Sequence, residues 1–259
     1  MLKIAIYGKG GIGKSTTISN VAAVLAGRGY RVMQIGCDPK ADSTMLLRHG
    51  EPMKTVLSLV SQKKNAVTLE ELVKVGFRDI ICVEAGGPSP GTGCAGRGII
   101  AALETLKEKG AYESYQPDII LYDVLGDVVC GGFSMPMRNG YADQVFVVTS
   151  GENMSIYAAA NIATAVDHFK NRGYAQLGGF ILNHRNVKRE REKVEEMAAE
   201  FHSEIVGELS RSETVAEAEE QVSTVIEAFP ESDMAREYED LADAILARCG
   251  LPGHKEKGA

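Results

Sequence analysis

The join between an apolar run and a glycine-rich loop constrains this chain more than any other feature. Leu2-Lys3-Ile4-Ala5-Ile6-Tyr7 runs directly into Gly8-Lys9-Gly10-Gly11-Ile12-Gly13-Lys14-Ser15, and a helix-periodic stretch follows. Glycines let successive backbone N–H groups close around phosphate oxygens, where a side chain would collide. A lysine in the place of Lys14 supplies a point charge near the β- and γ-phosphates, and the Ser15 hydroxyl can ligate Mg²⁺. The helix that starts near Lys14 aims its positive end at the same phosphates. The segment from Gly8 through Gly10, Gly11, Ile12 and Gly13 to Thr16 therefore reads as a nucleoside triphosphate cradle. The extra lysine, Lys9, points to the deviant branch of such cradles.

Behind this join, strand and helix patterns alternate. Ile18, Val21, Ala22 and Leu25 form one apolar helix face. Arg31 to Gly36, Asp79 to Glu84, Asp118 to Asp123, Gln144 to Ser150 and Leu177 to Asn183 read as strands. Helices are expected from Thr68, a capping-box start, through Lys74, from Arg97 to Lys109, from Ser155 to Arg172, and along the face of Tyr238, Leu241, Ala242, Ile245 and Cys249. The stretch from 204 to 228 carries no clear period. Such alternation implies an α/β fold: a doubly wound, mostly parallel sheet with helices on both faces, and ligands at the carboxyl ends of the strands. Without an internal linker or repeat, residues 1–250 read as one domain and 251–259 as a polar, flexible tail.

The net charge of −7 weighs against nucleic acid as a partner. The densest basic run, Arg185 to Lys193, contains Glu190 and Glu192 and reads as a solvated helix face. No run has the roughly 18 apolar residues of a membrane span, and the N-terminus lacks the charged and apolar regions of a signal peptide. A cytoplasmic, membrane-free protein is the expectation. Five cysteines, at 37, 82, 94, 130 and 249, form no C-x-x-C pair, so a disulfide framework is disfavoured.

Chemistry concentrates at strand ends. Cys37-Asp38-Pro39-Lys40-Ala41-Asp42-Ser43 crowds two carboxylates and a lysine into one loop. Asp123-Val124-Leu125-Gly126-Asp127 combines a Mg²⁺-side carboxylate, Asp123, with D-x-x-G, in which the Gly126 N–H can meet a γ-phosphate. Such a loop changes shape when that phosphate leaves. Cys94 and Cys130 sit among glycines that expose backbone N–H groups, surroundings suited to a thiolate or an inorganic sulfide. A [4Fe–4S] cube needs four thiolates, so two cysteines per chain imply a symmetric dimer sharing one cluster.

With these segments in hand, the chain closely resembles the nitrogenase iron protein family. The resemblance rests on Gly8 to Ser15, Gly36 to Thr44, Gly93-Cys94-Ala95-Gly96-Arg97-Gly98 and Tyr122 to Phe133, and extends over roughly residues 2–245. It implies an ATP-dependent electron-donor homodimer that binds MgATP or MgADP at each loop. One [4Fe–4S] cluster would be held by Cys94 and Cys130 of both subunits. Electrons would come from a ferredoxin or flavodoxin and pass to a larger nitrogenase-like catalytic component. By the same resemblance, Lys9 reaches the nucleotide across the dimer, Lys14 and Ser15 hold phosphate and Mg²⁺, and Asp38 orients the attacking water. Lys40 and Asp42 fall in the first switch and Asp123 to Asp127 in the second. Asn183 and Arg211 fall on the adenine side, and Arg97 falls on the partner-docking surface beside the cluster.

Some segments depart from that family. Ser210-Arg211-Ser212 replaces a Pro-Arg-Asp near the adenine, Glu51 to Val67 differs, and the long C-terminal extension is missing after Cys249. Ala41 is nitrogenase-like, whereas protochlorophyllide and chlorophyllide reductase relatives carry histidine there. The expectation is a nitrogenase-like paralogue whose partner reduces something other than dinitrogen, such as a nickel tetrapyrrole or a carbon–sulfur bond. The rival reading is a non-redox ATPase of the same deviant group. A partitioning or cell-division positioning protein would need a basic surface or terminal helix, yet the last helix carries Glu237, Glu239, Asp240 and Asp243. An iron–sulfur scaffold would show C-x-x-C.

Overall fold

The computed structural model describes residues 1–86, 95–126, 136–137, 140–170 and 174–255. In chain order the elements are β1 (Leu2–Gly8), α1 (Lys14–Gly27), β2 (Val32–Gly36), α2 (Val56–Lys63), α3 (Leu69–Leu72), β3 (Lys74–Val75) and β4 (Ile81–Glu84). Next come α4 (Ala95–Glu108), α5 (Ala111–Tyr115), β5 (Ile119–Leu125), β6 (Gln144–Thr149), α6 (Asn153–Lys170) and β7 (Gln176–Asn183). The chain closes with α7 (Glu190–Glu200), β8 (Ile205–Leu209), α8 (Glu213–Glu220), α9 (Val225–Ala228) and α10 (Asp233–Arg248).

The strands form one eight-stranded sheet in the order β3-β4-β2-β5-β1-β6-β7-β8, parallel except where β3 meets β4. Period-two alternation along β1 divides the core. Ile4 and Ile6 face a layer with Ile18, Val21 and Leu25 of α1 and Leu241 and Ile245 of α10. Ala5 and Tyr7 face the opposite layer, with Leu103 of α4 and Ile162 of α6. Both faces of the central strands are therefore apolar, as a parallel sheet covered twice requires. Each fully buried isoleucine or leucine contributes roughly 1.5–3 kcal/mol.

The structure corrects one local expectation and adds detail at two further places. The helix begun at Thr68 has its capping box, with the Thr68 N–H donating to Glu71 Oε2 at 3.2 Å, but stops at Leu72. Lys74 and Val75 instead pair antiparallel with Cys82 and Ile81 along the sheet edge. The β-branched Val73 and Val75 favour that extended course. The patternless 204–228 stretch holds β8, α8 and α9. The tail is tied down as far as Lys255: the Tyr30 hydroxyl donates to the Pro252 carbonyl at 2.6 Å and Lys255 Nζ meets Asp118 at 2.6 Å. Residues 256–259 lie outside the described residues.

Candidate functional site

A cleft of about 790 Å³ opens at the carboxyl ends of β1, β2, β5, β7 and β8. It is lined by Lys9, Gly10, Gly11, Gly13, Lys14, Ser15 and Thr16 from the first loop, and by Asp38, Lys40 and Asp42 after β2. Leu125, Asn183 and Arg211 complete it from the ends of β5, β7 and β8. Parallel strands gather their following loops at one end of the sheet, which is why residues far apart in sequence meet here.

The first loop is shaped by backbone, not side chains. Gly13 caps α1 in a left-handed conformation, φ 91°, with no side-chain hydrogen bond at that end. The first-turn N–H groups of α1 therefore face the cleft without a built-in acceptor, the arrangement that favours an anion. A Cβ on Gly13 would also run into the Asn183 amide. That amide donates to the Ile12 carbonyl at 2.7 Å, joining the end of β7 to the loop.

A polar chain lies beneath the loop. Lys14 pairs with the Asp123 carboxylate at the end of β5, and both are almost wholly buried. The other Asp123 oxygen accepts from Ser43 Oγ at 2.6 Å. Next to Ser43, the Thr44 N–H and hydroxyl both donate to Glu84 Oε1, at 2.8 and 2.6 Å. The Arg48 guanidinium donates to the Thr44 hydroxyl at 2.9 Å and stands 3.8 Å from Glu84. Glu84 ends β4, is fully buried, and keeps Oε2 without a partner. Burial raises its pKa to about 7, against the opposing bonds from Thr44. Two adjacent residues of the loop after β2 thus grip carboxylates at the ends of two different strands.

Of the second acidic loop, Gly126 is the last residue described before 136. Its N–H donates to the Gly8 carbonyl at 3.0 Å, and a Cβ there would sit 2.7 Å from that same oxygen. Only glycine fits where β5 leaves the sheet over the start of the first loop. Asp38 is buried and accepts from the Lys40 N–H at 2.9 Å, while Lys40 and Asp42 are exposed at the rim. Asp127, Cys94 and Cys130 lie outside the described residues, and of Arg97 only its place in the first turn of α4 is described.

The remaining cysteines are poor thiolate ligands. Burial, reinforced by Asp123, drives the Cys37 thiol well above its usual range, and burial pushes Cys82 up to about 12 and Cys249 to about 11. Among the described residues no group of three His, Cys, Asp or Glu side chains converges as a metal site.

Several residues of the cleft escape a sequence reading. Arg185, assigned with its basic run to a solvated helix face, instead donates from Nη2 to the Gly11 carbonyl at 2.8 Å; α7 begins only at Glu190. His184 beside it bonds Glu190 at 2.8 Å and Glu208 at 3.0 Å. Burial works against its charge, but the two carboxylates outweigh it and hold the ring's pKa above the ordinary histidine value. Thr16 donates to Glu219 of α8 at 2.8 Å. The position of Arg185 just past a strand end was the one signal available, since ligands gather there. A second cleft, of about 470 Å³, adjoins Lys9 and is bordered by Gly151 to Ser155, Val187 and Lys193.

Comparison with known proteins bears on this arrangement. In fold, the chain is similar to the cell division ATPase MinD of Pyrococcus furiosus: TM-score 0.71, 18% identity, covering 95% of this chain and 98% of that one. It is likewise similar to a ParA family ATPase from Chlorobium tepidum: TM-score 0.71, 14% identity, covering 95% and 97%. At such identities the likeness concerns the fold alone. In sequence, the chain is 50% identical over 249 residues to a nitrogenase iron protein of Methanospirillum hungatei, covering 95% of this chain and 88% of that protein. The model of the 4Fe-4S iron sulfur cluster binding proteins, NifH/frxC family, matches residues 2–251. Matched from its first strand to the end of its last helix, the chain belongs to that family.

Proposed function

We propose that this protein is an ATP-dependent electron donor: a homodimer that binds MgATP at each cleft and passes single electrons from a shared [4Fe–4S] cluster to a separate nitrogenase-like catalytic component. Family membership supports the redox reading. The observation that carries the coupling is the pair of grips made by Ser43 on Asp123 and by Thr44 on Glu84. Beyond Asp123 the chain runs on to Cys130, and beyond Glu84 it runs on to Cys94. A movement of the loop after β2 therefore pulls on both strand ends that lead toward the cluster cysteines.

Nucleotide would act through exchange of partners. Phosphate oxygens arriving at the free N–H groups of α1 compete for Lys14, and Lys14 leaves Asp123 to meet them. Asp123 and Ser15 are then free to hold Mg²⁺, Asp38 to orient the attacking water, and Gly126 to exchange the Gly8 carbonyl for a γ-phosphate oxygen. Lys40, Asp42 and Asp127 move with the two loops. Hydrolysis reverses the exchange, so the phosphate chemistry gates docking and release. Cys94 and Cys130 of two subunits would supply the four thiolates of the cluster, whose chemistry is one-electron transfer. Lys9 borders both clefts, and the second is also lined by Met154, which is 65% exposed; Tyr157, 64% exposed, lies one turn further along α6. An exposed methionine sharing a cleft with a lysine supports a second copy closing over this face, with Lys9 reaching the partner's nucleotide.

Asn183 and Arg211 hold the adenine side, Arg97 lies on the docking surface, residues 1–250 act as one unit, and the protein works in the cytoplasm, reduced by a ferredoxin or flavodoxin. The substrate that the catalytic partner reduces, whether dinitrogen, a tetrapyrrole or a carbon–sulfur compound, is set by that second polypeptide. Anaerobic purification tests the proposal: the protein should be brown, with about four iron atoms per dimer, and Cys94→Ser or Cys130→Ser should remove the iron while the fold survives. Colourless protein with full ATPase activity would instead favour a partitioning-type ATPase. Trapping with MgADP and a γ-phosphate mimic, followed by identification of the retained polypeptide, names the partner.

A further inference from the structure

The His184 ring is held by two carboxylates at once. Nδ1 lies 2.8 Å from Glu190 Oε1 and Nε2 lies 3.0 Å from Glu208 Oε2. An ionised carboxylate only accepts, so each ring nitrogen must carry a proton and the ring is an imidazolium. Glu190 opens α7, and its oxygens also accept the Arg185 N–H at 3.0 Å and the Asn186 N–H at 3.1 Å. Glu208 lies on β8, and its other oxygen forms an ion pair with Arg191 of α7 at 3.2 Å. The charged groups around the ring are thus Glu190 and Arg191 from α7, Glu208 from β8, and Arg185 from its own loop. On the cleft side of this loop, Asn183 holds the Ile12 carbonyl and Arg185 holds the Gly11 carbonyl.

We propose that His184 is a positioning residue of the nucleotide cleft: as imidazolium it cross-links α7 and β8, fixes the 183–186 loop against Gly11 and Ile12, and so favours nucleotide binding. This rests on the nucleotide reading of the cleft given above. Loss of one ring proton leaves a lone-pair nitrogen facing a carboxylate, and that link opens. The loop then loses one of the contacts that hold it, while the backbone bonds to Glu190 and Leu209 remain, and the cleft binds nucleotide less tightly.

The test is the dissociation constant for MgADP measured by calorimetry on the dimer from pH 7 to 9. Wild type should weaken about fivefold as the ring deprotonates, less than the roughly tenfold or more that a whole charge-assisted hydrogen bond is worth, because the loop's other contacts remain. His184→Gln should bind weakly at pH 7 with a flat profile, and His184→Lys, charged throughout, should be flat but tighter than His184→Gln. Glu208→Gln should move the midpoint of the wild-type curve to lower pH, a shift that a merely structural role would not produce. Parallel wild-type and His184→Gln profiles, or a Glu208→Gln curve with an unmoved midpoint, would overturn the proposal. MgADP that fails to bind at any pH overturns the nucleotide reading and this inference with it.

Discussion

At the scale of single residues, the account turns on buried charge. Lys14 and Asp123 are each almost inaccessible and satisfy one another, with Ser43 taking the second Asp123 oxygen. Removing one partner strands the other, which typically costs about 3–5 kcal/mol. Lys14→Met should therefore lower the urea midpoint markedly and abolish nucleotide binding. Adding Asp123→Asn should restore most of the stability without restoring binding. A double variant as unstable as the single one would show that the ion pair is not the source of the loss. Glu84 gives a second expectation. Its folded carboxyl keeps its proton up to about pH 7, while in the unfolded chain it is released near the ordinary glutamate value of 4.5. Its contribution therefore favours folding at low pH and is lost as pH rises through 7. Thermal unfolding from pH 5 to 8 should show a fall of about 1–3 kcal/mol in wild type that is absent in Glu84→Gln. These networks are where the sequence is least legible. The glycine loop, Asp123 and Asp38 announce themselves by spacing, because phosphate chemistry demands local patterns. Glu84, His184 and Arg185 acquire their roles only when the sheet brings β4 beside β2 and β7 beside β8.

At the scale of elements, strand ends and the loops they carry are the working parts. The apolar cores of β1, β2 and β5 to β7 can be read from their sequence runs. The edge pair β3 and the α8–α9 region cannot, since short elements lean on their neighbours more than on their own pattern. Thr44 links the loop after β2 to β4. Thr44→Val keeps the shape but deletes the hydroxyl that Glu84 and Arg48 share, a loss of about 1–2 kcal/mol. ATP hydrolysis should persist in that variant while electron delivery per ATP falls several-fold, measured with the reduced donor and its partner. Unchanged coupling would remove Thr44 from the mechanism. Gly126→Ala forces a Cβ to within 2.7 Å of the Gly8 carbonyl. It should destabilise the junction of β5 with the first loop by about 1–3 kcal/mol and weaken MgATP more than MgADP, as equilibrium dialysis would show.

At the scale of the molecule, one sheet places the cleft of the glycine loop and the approaches to two cysteine segments at the same end. The same fold is shared with MinD and ParA ATPases, so the fold alone leaves the redox question open. Family membership and the glycine-flanked Cys94 and Cys130 tip the balance toward electron transfer. The central claim is that nucleotide at Lys14 is felt by a cluster at Cys94 and Cys130. The most direct measurement is the reduction potential of the anaerobically purified dimer, with and without MgATP, in wild type and Lys14→Gln. The account predicts a cluster in both proteins and a potential that shifts with MgATP in wild type only. A wild-type cluster whose potential ignores MgATP, or one that shifts equally in Lys14→Gln, would contradict it.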